Sequence, residues 1–187
     1  MLEHLVALDR HLFHFINHDL ANPFFDWLMP MLRNARFWIP LYVAVIVFCI
    51  WRYRKQGIII IVLLAASAGF ADFTSVHLLK NNVERLRPCH DGTAMQTIIS
   101  RVPCGPGYSF PSTHATDHFA MAAFFGLVFF KRSRWVAVVA FLWAASICFA
   151  QVYVGVHFPI DVIFGALYGI LVGYLFTLLF KKLQPGF

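Results

Sequence analysis

Charge is what this chain has least of. Only 13% of its 187 residues are Asp, Glu, Lys or Arg, and nine of those are acidic. So little charge leaves no room for a long solvated or disordered segment. No low-complexity tract and no internal repeat is found. The start does not read as a secretory leader: Glu3 and Asp9 stand where a basic n-region belongs, and no small-residue cleavage site follows. Cysteine is sparse too, at four residues. Cys49 and Cys148 fall inside apolar runs and read as packing residues. Cys89 and Cys104 share one loop and are a candidate disulfide if that loop faces an oxidising compartment. Such a bridge would close a loop of about 15 residues and stabilise the fold by roughly 3 kcal/mol.

Apolar residues are what remains. They make up 60% of the chain, 21 of them phenylalanine, and mean hydropathy is +0.69. Soluble domains hold about 45–50% apolar residues, so this composition indicates an integral membrane protein. A spanning helix needs roughly 20 mostly apolar residues. Five runs approach that length: 37–51, 57–79, 115–130, 135–154 and 158–180. The first and third are short and must borrow flanking residues. Trp38, Trp51, Trp135 and Tyr153 sit at run ends, where aromatic residues favour the membrane interface.

The net charge of +6 does not point to nucleic acid. Eight of the fifteen cations fall in three tight groups: Arg52, Arg54 and Lys55; Lys131, Arg132 and Arg134; Lys181 and Lys182. Each group adjoins a long apolar run, as cytoplasmic membrane loops do. With all three on the cytoplasmic side, the five runs alternate without adjustment. The 81–112 loop and the short 155–157 turn then share the outer face. Residues 1–34 differ. Leu2, Leu5, Leu8, Leu12, Phe13, Phe15 and Ile16 have helical spacing with polar residues between them. This segment reads as two amphipathic helices in the outer interface, broken at Asn22-Pro23. Asp19, Asn22 and Asp26 would be expensive in one spanning helix. The expected fold is therefore all-α: a polytopic transmembrane helical bundle of about five spanning helices plus N-terminal amphipathic interfacial helices. It forms one domain, 1–187, with an interfacial segment 1–34 and a helical core 37–180.

Three stretches carry chemistry. Lys80 and Arg87 are seven residues apart, two turns if the helix continues to Pro88, and so share a face that could hold a phosphate. Pro111-Ser112-Thr113-His114 precedes an apolar run. Ser112 is a candidate N-cap, and free N–H groups at a helix start attract anions. His157 and Asp161 are four apart, with Pro159 suited to a first helical turn. A carboxylate so placed fixes the imidazole tautomer and frees the other nitrogen to attack. Taken singly, each has an ordinary reading: a snorkelling pair, a capped helix, a structural His–Asp contact. Together, cations, helix starts and paired histidines at one membrane surface point to phosphoryl chemistry on a lipid.

In order and spacing these stretches resemble the type 2 phosphatidic acid phosphatase family, relatives of the vanadium haloperoxidases. The family's signatures are Lys-x6-Arg-Pro, Pro-Ser-Gly-His and Ser-Arg-x5-His-x3-Asp. Here they read Lys80…Arg87-Pro88, Pro111-Ser112-Thr113-His114 and Ala150-Gln151…His157…Asp161. Thr113 replaces a glycine, and Gln151 replaces the second arginine. That replacement removes one charge-assisted phosphate contact, worth about 1.5–3 kcal/mol. Arg85 and Arg101 in the outer loop are candidates to compensate. The family's usual further span has no counterpart among the five runs.

The resemblance implies a metal-independent lipid phosphatase without a cofactor. Lys80, Arg87, Ser112, Thr113 and Gln151 would bind substrate. His157 would be the nucleophile, His114 the acid and base, and Asp161 the orienting carboxylate. The expected substrate is a lipid phosphate drawn from the surrounding membrane lipids. Undecaprenyl diphosphate is favoured; phosphatidate, phosphatidylglycerol phosphate and lipid A are alternatives. The expected place is the inner membrane, with the site on its outer face. No partner is implied beyond lipids, and no oligomeric state.

Two rival readings stand beside this one. His114-x3-His118 has metal-ligand spacing, but Ala115 stands where a zinc protease would carry its glutamate. Asp72, Thr74, Ser75 and His77 form a polar cluster inside an apolar run, which would suit a transporter or a catalytically weakened phospholipid binder.

Overall fold

In the computed structural model, residues 2–92 and 97–187 are described; Met1 and positions 93–96, which belong to the expected 1–187 domain and the 81–112 loop, lie outside the described residues. Helices α1 (Leu2–His14) and α2 (Pro23–Leu32) come first, with a π-helical turn, Phe15–Asp19, after α1. The break falls at Asn22-Pro23. The Asn22 side chain accepts from the Phe25 N–H at 3.0 Å, and Pro23 opens the helix. Then come α3 (Ile39–Tyr53), α4 (Lys55–Thr74), a π-helical stretch Ser75–Lys80, and a single turn, α5 (Asn81–Val83). After the long loop follow α6 (Thr113–Phe129), α7 (Arg134–Tyr153) and α8 (Pro159–Leu183).

Among the described residues, four segments are long and apolar enough to cross a membrane: Ala35–Tyr53, Lys55–His90, Arg134–Tyr153 and Pro159–Leu183. The remaining expected run, 115–130, became α6, 17 residues and about 26 Å long. It packs against α4, α7 and α8, so protein rather than lipid surrounds it. A helix in that position needs no full-length apolar surface, which is why this run looked short.

Glycines set how closely α8 meets α6. Gly165, Gly169 and Gly173 recur every fourth residue on one face of α8. A Cβ there would lie 2.7, 2.2 and 2.4 Å from the backbone oxygens of Ser112, Thr116 and Ala120. The two backbones touch along this seam, as small-residue stripes allow. At its start the Ser112 N–H donates to the Asp161 carbonyl oxygen at 3.0 Å. The N-termini of α6 and α8 are thereby fixed side by side.

The two ends of the bundle differ in chemistry. At one end Tyr53, Phe129, Phe180 and Phe187 pack ring on ring. Arg132 stacks on Phe187 with its guanidinium carbon 3.6 Å from the ring centre, and Arg52 lies over Tyr53. This contact joins the α3–α4 turn, the α6–α7 turn and the C-terminal tail, the places that hold the three basic groups. The opposite end carries the loop and the histidines.

That opposite end is roofed by the N-terminal helices. The Asn17 amide donates to the carbonyl oxygens of Ile99 and Tyr153 and accepts from the Ile99 N–H, at 2.8–3.0 Å. Arg101 stacks on Tyr153, donates to the carbonyls of Asn17 and Tyr153, and pairs with Asp26. The Tyr153 hydroxyl, then Arg101, hold the Asp26 carboxyl below the usual carboxylate range. Cys89 and Cys104 are joined by a disulfide, with their Cα atoms 6.0 Å apart. It pins the loop two residues beyond Arg87.

Candidate active site

The site forms where the N-termini of α6 and α8 lie beside the C-terminal end of α7 and the described residues of the loop between α5 and α6. Ser112 caps α6: its hydroxyl oxygen accepts from the Ala115 N–H at 3.5 Å. Thr113 is the first helical residue and His114 the second, both partly exposed. His157 is 1% exposed, in the turn between α7 and α8. Gly155, at a φ of +88°, gives that turn a left-handed residue that suits glycine. The chain reverses, and the Val156 N–H donates to the Gln151 carbonyl at 3.2 Å.

Arg87 reaches His157. Its NH1 lies 3.3 Å from His157 Nε2 and donates to the Val156 carbonyl at 3.3 Å; its Nε donates to the Gly107 carbonyl. The sequence suggested that Lys80 and Arg87 share a helix face, but the backbone differs. Helix ends at Val83, Glu84 adopts a left-handed conformation, and its N–H donates to the Lys80 carbonyl, as a left-handed helix stop does. Arg87 is extended. It therefore reaches His157 from the returning loop, while Lys80 projects from the π-helical end of α4. Lys80 is 9% exposed and makes no ion pair among the described residues, yet the charges of Arg87 and Asp161 both act on it. A π-helical step at such a position re-aims one side chain, and these steps recur at functional sites.

Asp161 is fully buried, but it does not hydrogen-bond His157. Its Oδ2 accepts from the Phe158 N–H at 2.9 Å, and its Oδ1 accepts from Arg85 at 2.6 Å. Arg85 stacks on Phe158 and also pairs with Asp9, whose other oxygen accepts from the Ile160 N–H. The nearest Asp161 oxygen is 3.8 Å from His157 Nδ1, and Nδ1 has no hydrogen-bond partner among the described residues. The i,i+4 spacing thus brings the carboxylate close, while a helix start and a guanidinium take its lone pairs. Burial pushes the His157 imidazole down to about 4, against the opposing pull of Asp161. The ring is neutral at physiological pH, the form a nucleophile needs.

Gln151 is fully buried, and neither amide atom has a partner among the described residues. Arg85 and Arg101 do not stand in for the missing guanidinium: Arg85 is held by Asp9 and Asp161, and Arg101 by Asp26. Both are consumed in fastening the roof. Sequence reasoning also missed Asp9, Asn17 and the α8 glycines. Only the glycines left a local signal, their spacing of four.

The rival features are otherwise engaged. His118 Nδ1–H donates to the His114 carbonyl at 2.7 Å, and its Nε2 faces the Tyr42 hydroxyl at 3.5 Å. The Thr74 hydroxyl donates to Phe70 and accepts from Tyr168; Ser75 and His77 bond to carbonyls within their own helix. Among the described residues, His14, His18 and Asp19 have side-chain atoms close enough to share a metal ion, and none of the three belongs to this site.

Residues 56–185 match the PAP2 superfamily. The chain belongs to the PAP2 superfamily. PAP2 membership makes it a membrane phosphatase acting on lipid phosphates, as the resemblance implied. It is 31% identical over 186 residues to the lipid A 4′-phosphatase of Bacteroides thetaiotaomicron, covering 98% of this chain and 81% of that one. It is 27% identical to the undecaprenyl-diphosphatase BcrC of Bacillus subtilis over 142 residues, 76% of this chain and 69% of that one. The crystal structure of Aquifex aeolicus LpxE superimposes with a TM-score of 0.69 at 24% identity, covering 89% of this chain and 92% of the other. That likeness is one of fold.

Proposed function

We propose that this PAP2 protein removes phosphate from a membrane lipid through a phosphohistidine at His157, without a metal. The observation that carries the reading is Arg87 at 3.3 Å from His157 Nε2, with the charge of buried Lys80 also acting on the ring. Cations around a neutral imidazole draw a phosphate onto the attacking atom and stabilise the charge on its oxygens in the transition state. The N–H groups of Thr113 and His114 at the helix start complete the cradle, with Gln151 as a neutral donor; the expected Ser112 N–H is taken by the Asp161 carbonyl, so Ser112 holds the helix start rather than the phosphate. The Nε2 lone pair forms a bond to phosphorus as the bond to the lipid oxygen breaks. His114 gives that oxygen its proton. His114 then takes a proton from water, the water oxygen bonds phosphorus, and the P–N bond breaks to release inorganic phosphate. Asp161 stabilises the charge that His157 gains, from 3.8 Å and through a side chain fixed by Arg85.

The substrate reading rests on likeness and on shape. The first relative named above supports a phosphomonoester on a lipid A-type sugar; the more distant one supports undecaprenyl diphosphate as the second reading. An apolar cavity of about 630 Å³ lies between α3, α4, α6 and α7, with Tyr42 and Trp143 in its wall. Both contact His118, whose ring stacks on His114. A hydrocarbon chain in that cavity would lead to the catalytic end. The basic groups at the opposite end support an inner-membrane protein with its site on the outer face.

The test is phosphate release in detergent with a strong chelator, across lipid A, undecaprenyl diphosphate, phosphatidate and phosphatidylglycerol phosphate. Release is expected from wild type and lost in His157→Ala and His114→Ala with little change in folding. Full activity in purified His157→Ala overturns the nucleophile, and release that ceases with chelator overturns metal independence. No release from any lipid phosphate would favour a phospholipid binder of the same fold.

A further inference from the structure

Two of the polar side chains at the catalytic end whose buried atoms lack a partner among the described residues bear on phosphate binding. One is the Gln151 amide, fully buried on α7. The other is Arg33, which ends α2; its Nε is buried and has no hydrogen-bond partner among the described residues. Packing brings the two elements together. Met29 on α2 buries against Ala150 and Tyr153 of α7, with Leu32 in the same cluster. Ala150 and Tyr153 flank Gln151, and Arg33 follows Leu32, so α2 ends over the segment of α7 that carries Gln151.

The charges around Arg33 are of its own sign. Burial, then the charge of Arg87, press its guanidinium below the usual range, and no carboxylate offsets them. Arg85 and Arg101, by contrast, are neutralised by Asp9, Asp161 and Asp26. Two guanidiniums near one another in a partly desolvated region repel unless an anion lies between them. The two histidines divide the cations. Arg33 and Arg87 act on His114, whereas Arg87 and Lys80 act on His157. Packing agrees: the Leu32 carbonyl, one residue before Arg33, accepts from Trp38 Nε1 at 2.7 Å, Trp38 packs on Trp143, and Trp143 packs on His118, whose ring stacks on His114. Arg33 therefore belongs to the His114 side, where the proposed leaving oxygen sits, and Lys80 to the His157 side.

We propose that Arg33, with the Gln151 amide, binds the lipid phosphate on the His114 side, supplying from α2 the cation that α7 lacks at position 151. This rests on the phosphatase reading and adds a substrate-binding residue from outside the signature stretches. A guanidinium on the leaving side would serve the bridging oxygen of a monoester and, more strongly, the second phosphate of a diphosphate, which leaves as an anion.

Inorganic phosphate is the probe, used on the full-length protein in detergent. Its affinity is measured by calorimetry and, separately, as an inhibition constant in phosphate release. Arg33→Gln is expected to weaken phosphate by about 10- to 100-fold, the worth of one charge-assisted contact. Arg33→Lys should weaken it less. Adding Gln151→Arg to Arg33→Gln should recover most of the loss, because it returns a cation to the pocket; a structural role for Arg33 would show no such rescue. Arg36→Gln, an exposed neighbour, should match wild type. Wild-type phosphate affinity in Arg33→Gln, or no recovery in the double variant, overturns the assignment. If Arg33→Gln does not purify folded, Arg33→Lys with and without Gln151→Arg makes the same comparison. Phosphate binding by a wild type that releases none from any lipid overturns the enzyme reading and leaves Arg33 to be judged by binding. A larger kcat/KM loss on undecaprenyl diphosphate than on lipid A supports placement at the leaving group; equal losses overturn that placement.

Discussion

Gly169→Ala tests whether the α6–α8 seam sets the catalytic geometry. The added methyl would start 2.2 Å from the Thr116 carbonyl oxygen, whereas ordinary contact begins near 3.4 Å. Both partners are helix backbone, so neither can swing aside, and the helices must separate by about 1 Å. Overpacking of this kind costs about 1–3 kcal/mol, partly offset by the roughly 1 kcal/mol that alanine gains over glycine in a helix. The effect on chemistry should be larger. His114 rides on α6 and Asp161 on α8, and a 1 Å misplacement of reacting groups can cost on the order of 100-fold in rate. Gly69→Ala is the internal control: it lies on α4 with nothing within 4 Å of its would-be Cβ, so it keeps the helix gain without the clash. The assays are kcat for phosphate release and melting temperature in the same detergent. Gly169→Ala should lose most of its kcat and melt lower; Gly69→Ala should keep its kcat and melt no lower. A Gly169→Ala protein with wild-type kcat would show that the seam does not govern the spacing of the two catalytic helices.

Two other perturbations act on the loop and on the buried imidazole. Replacing Cys89 and Cys104 by serine, a loop closure of 15 residues, should lower stability by about 3 kcal/mol. It should also raise the KM for lipid phosphate, since Arg87 loses its anchor; an unchanged KM would show that the loop is held by its packing alone. His157, pushed down to about 4 by burial, titrates near 6.5 when unfolded. Its neutral folded form therefore contributes stability that is fully present above pH 6.5 and is lost as pH falls toward 4, about 3 kcal/mol in all. Melting temperatures from pH 7.5 to 4.5 should fall more steeply for wild type than for His157→Gln, and parallel curves would refute this.

What could be read from the sequence was what repeats locally or depends on short spacing. Apolar runs gave the membrane helices, because lipid demands long uninterrupted stretches. Proline and serine positions gave the starts of α6 and α8, and the Asn22-Pro23 break gave the start of α2. The spacing of Lys80 and Arg87 was legible as a motif but misled as geometry, since a left-handed Glu84 depends on where the loop must return, which no local pattern encodes. His157 and Asp161 were placed correctly as neighbours. Their hydrogen bond was not foreseen to go elsewhere, because the competitor, Arg85, is 76 residues away in sequence.

The N-terminal roof follows the same logic with a functional consequence. Asp9 joins α1 to the carboxylate network of His157: it holds Arg85, which in turn holds Asp161. Asn17 and Asp26 fasten the next two elements to the end of α7. An amphipathic segment that reads as a peripheral membrane anchor is thus also a wall of the site. The proposed role of Arg33 would account for a neutral glutamine at position 151. A pocket walled by a further helix can draw its cation from that helix, so the charge need not stay on α7. By this reasoning the substitution at position 151 and the presence of Arg33 on α2 are two halves of one solution to phosphate binding. Either half alone should leave the pocket short of charge or over-supplied with it.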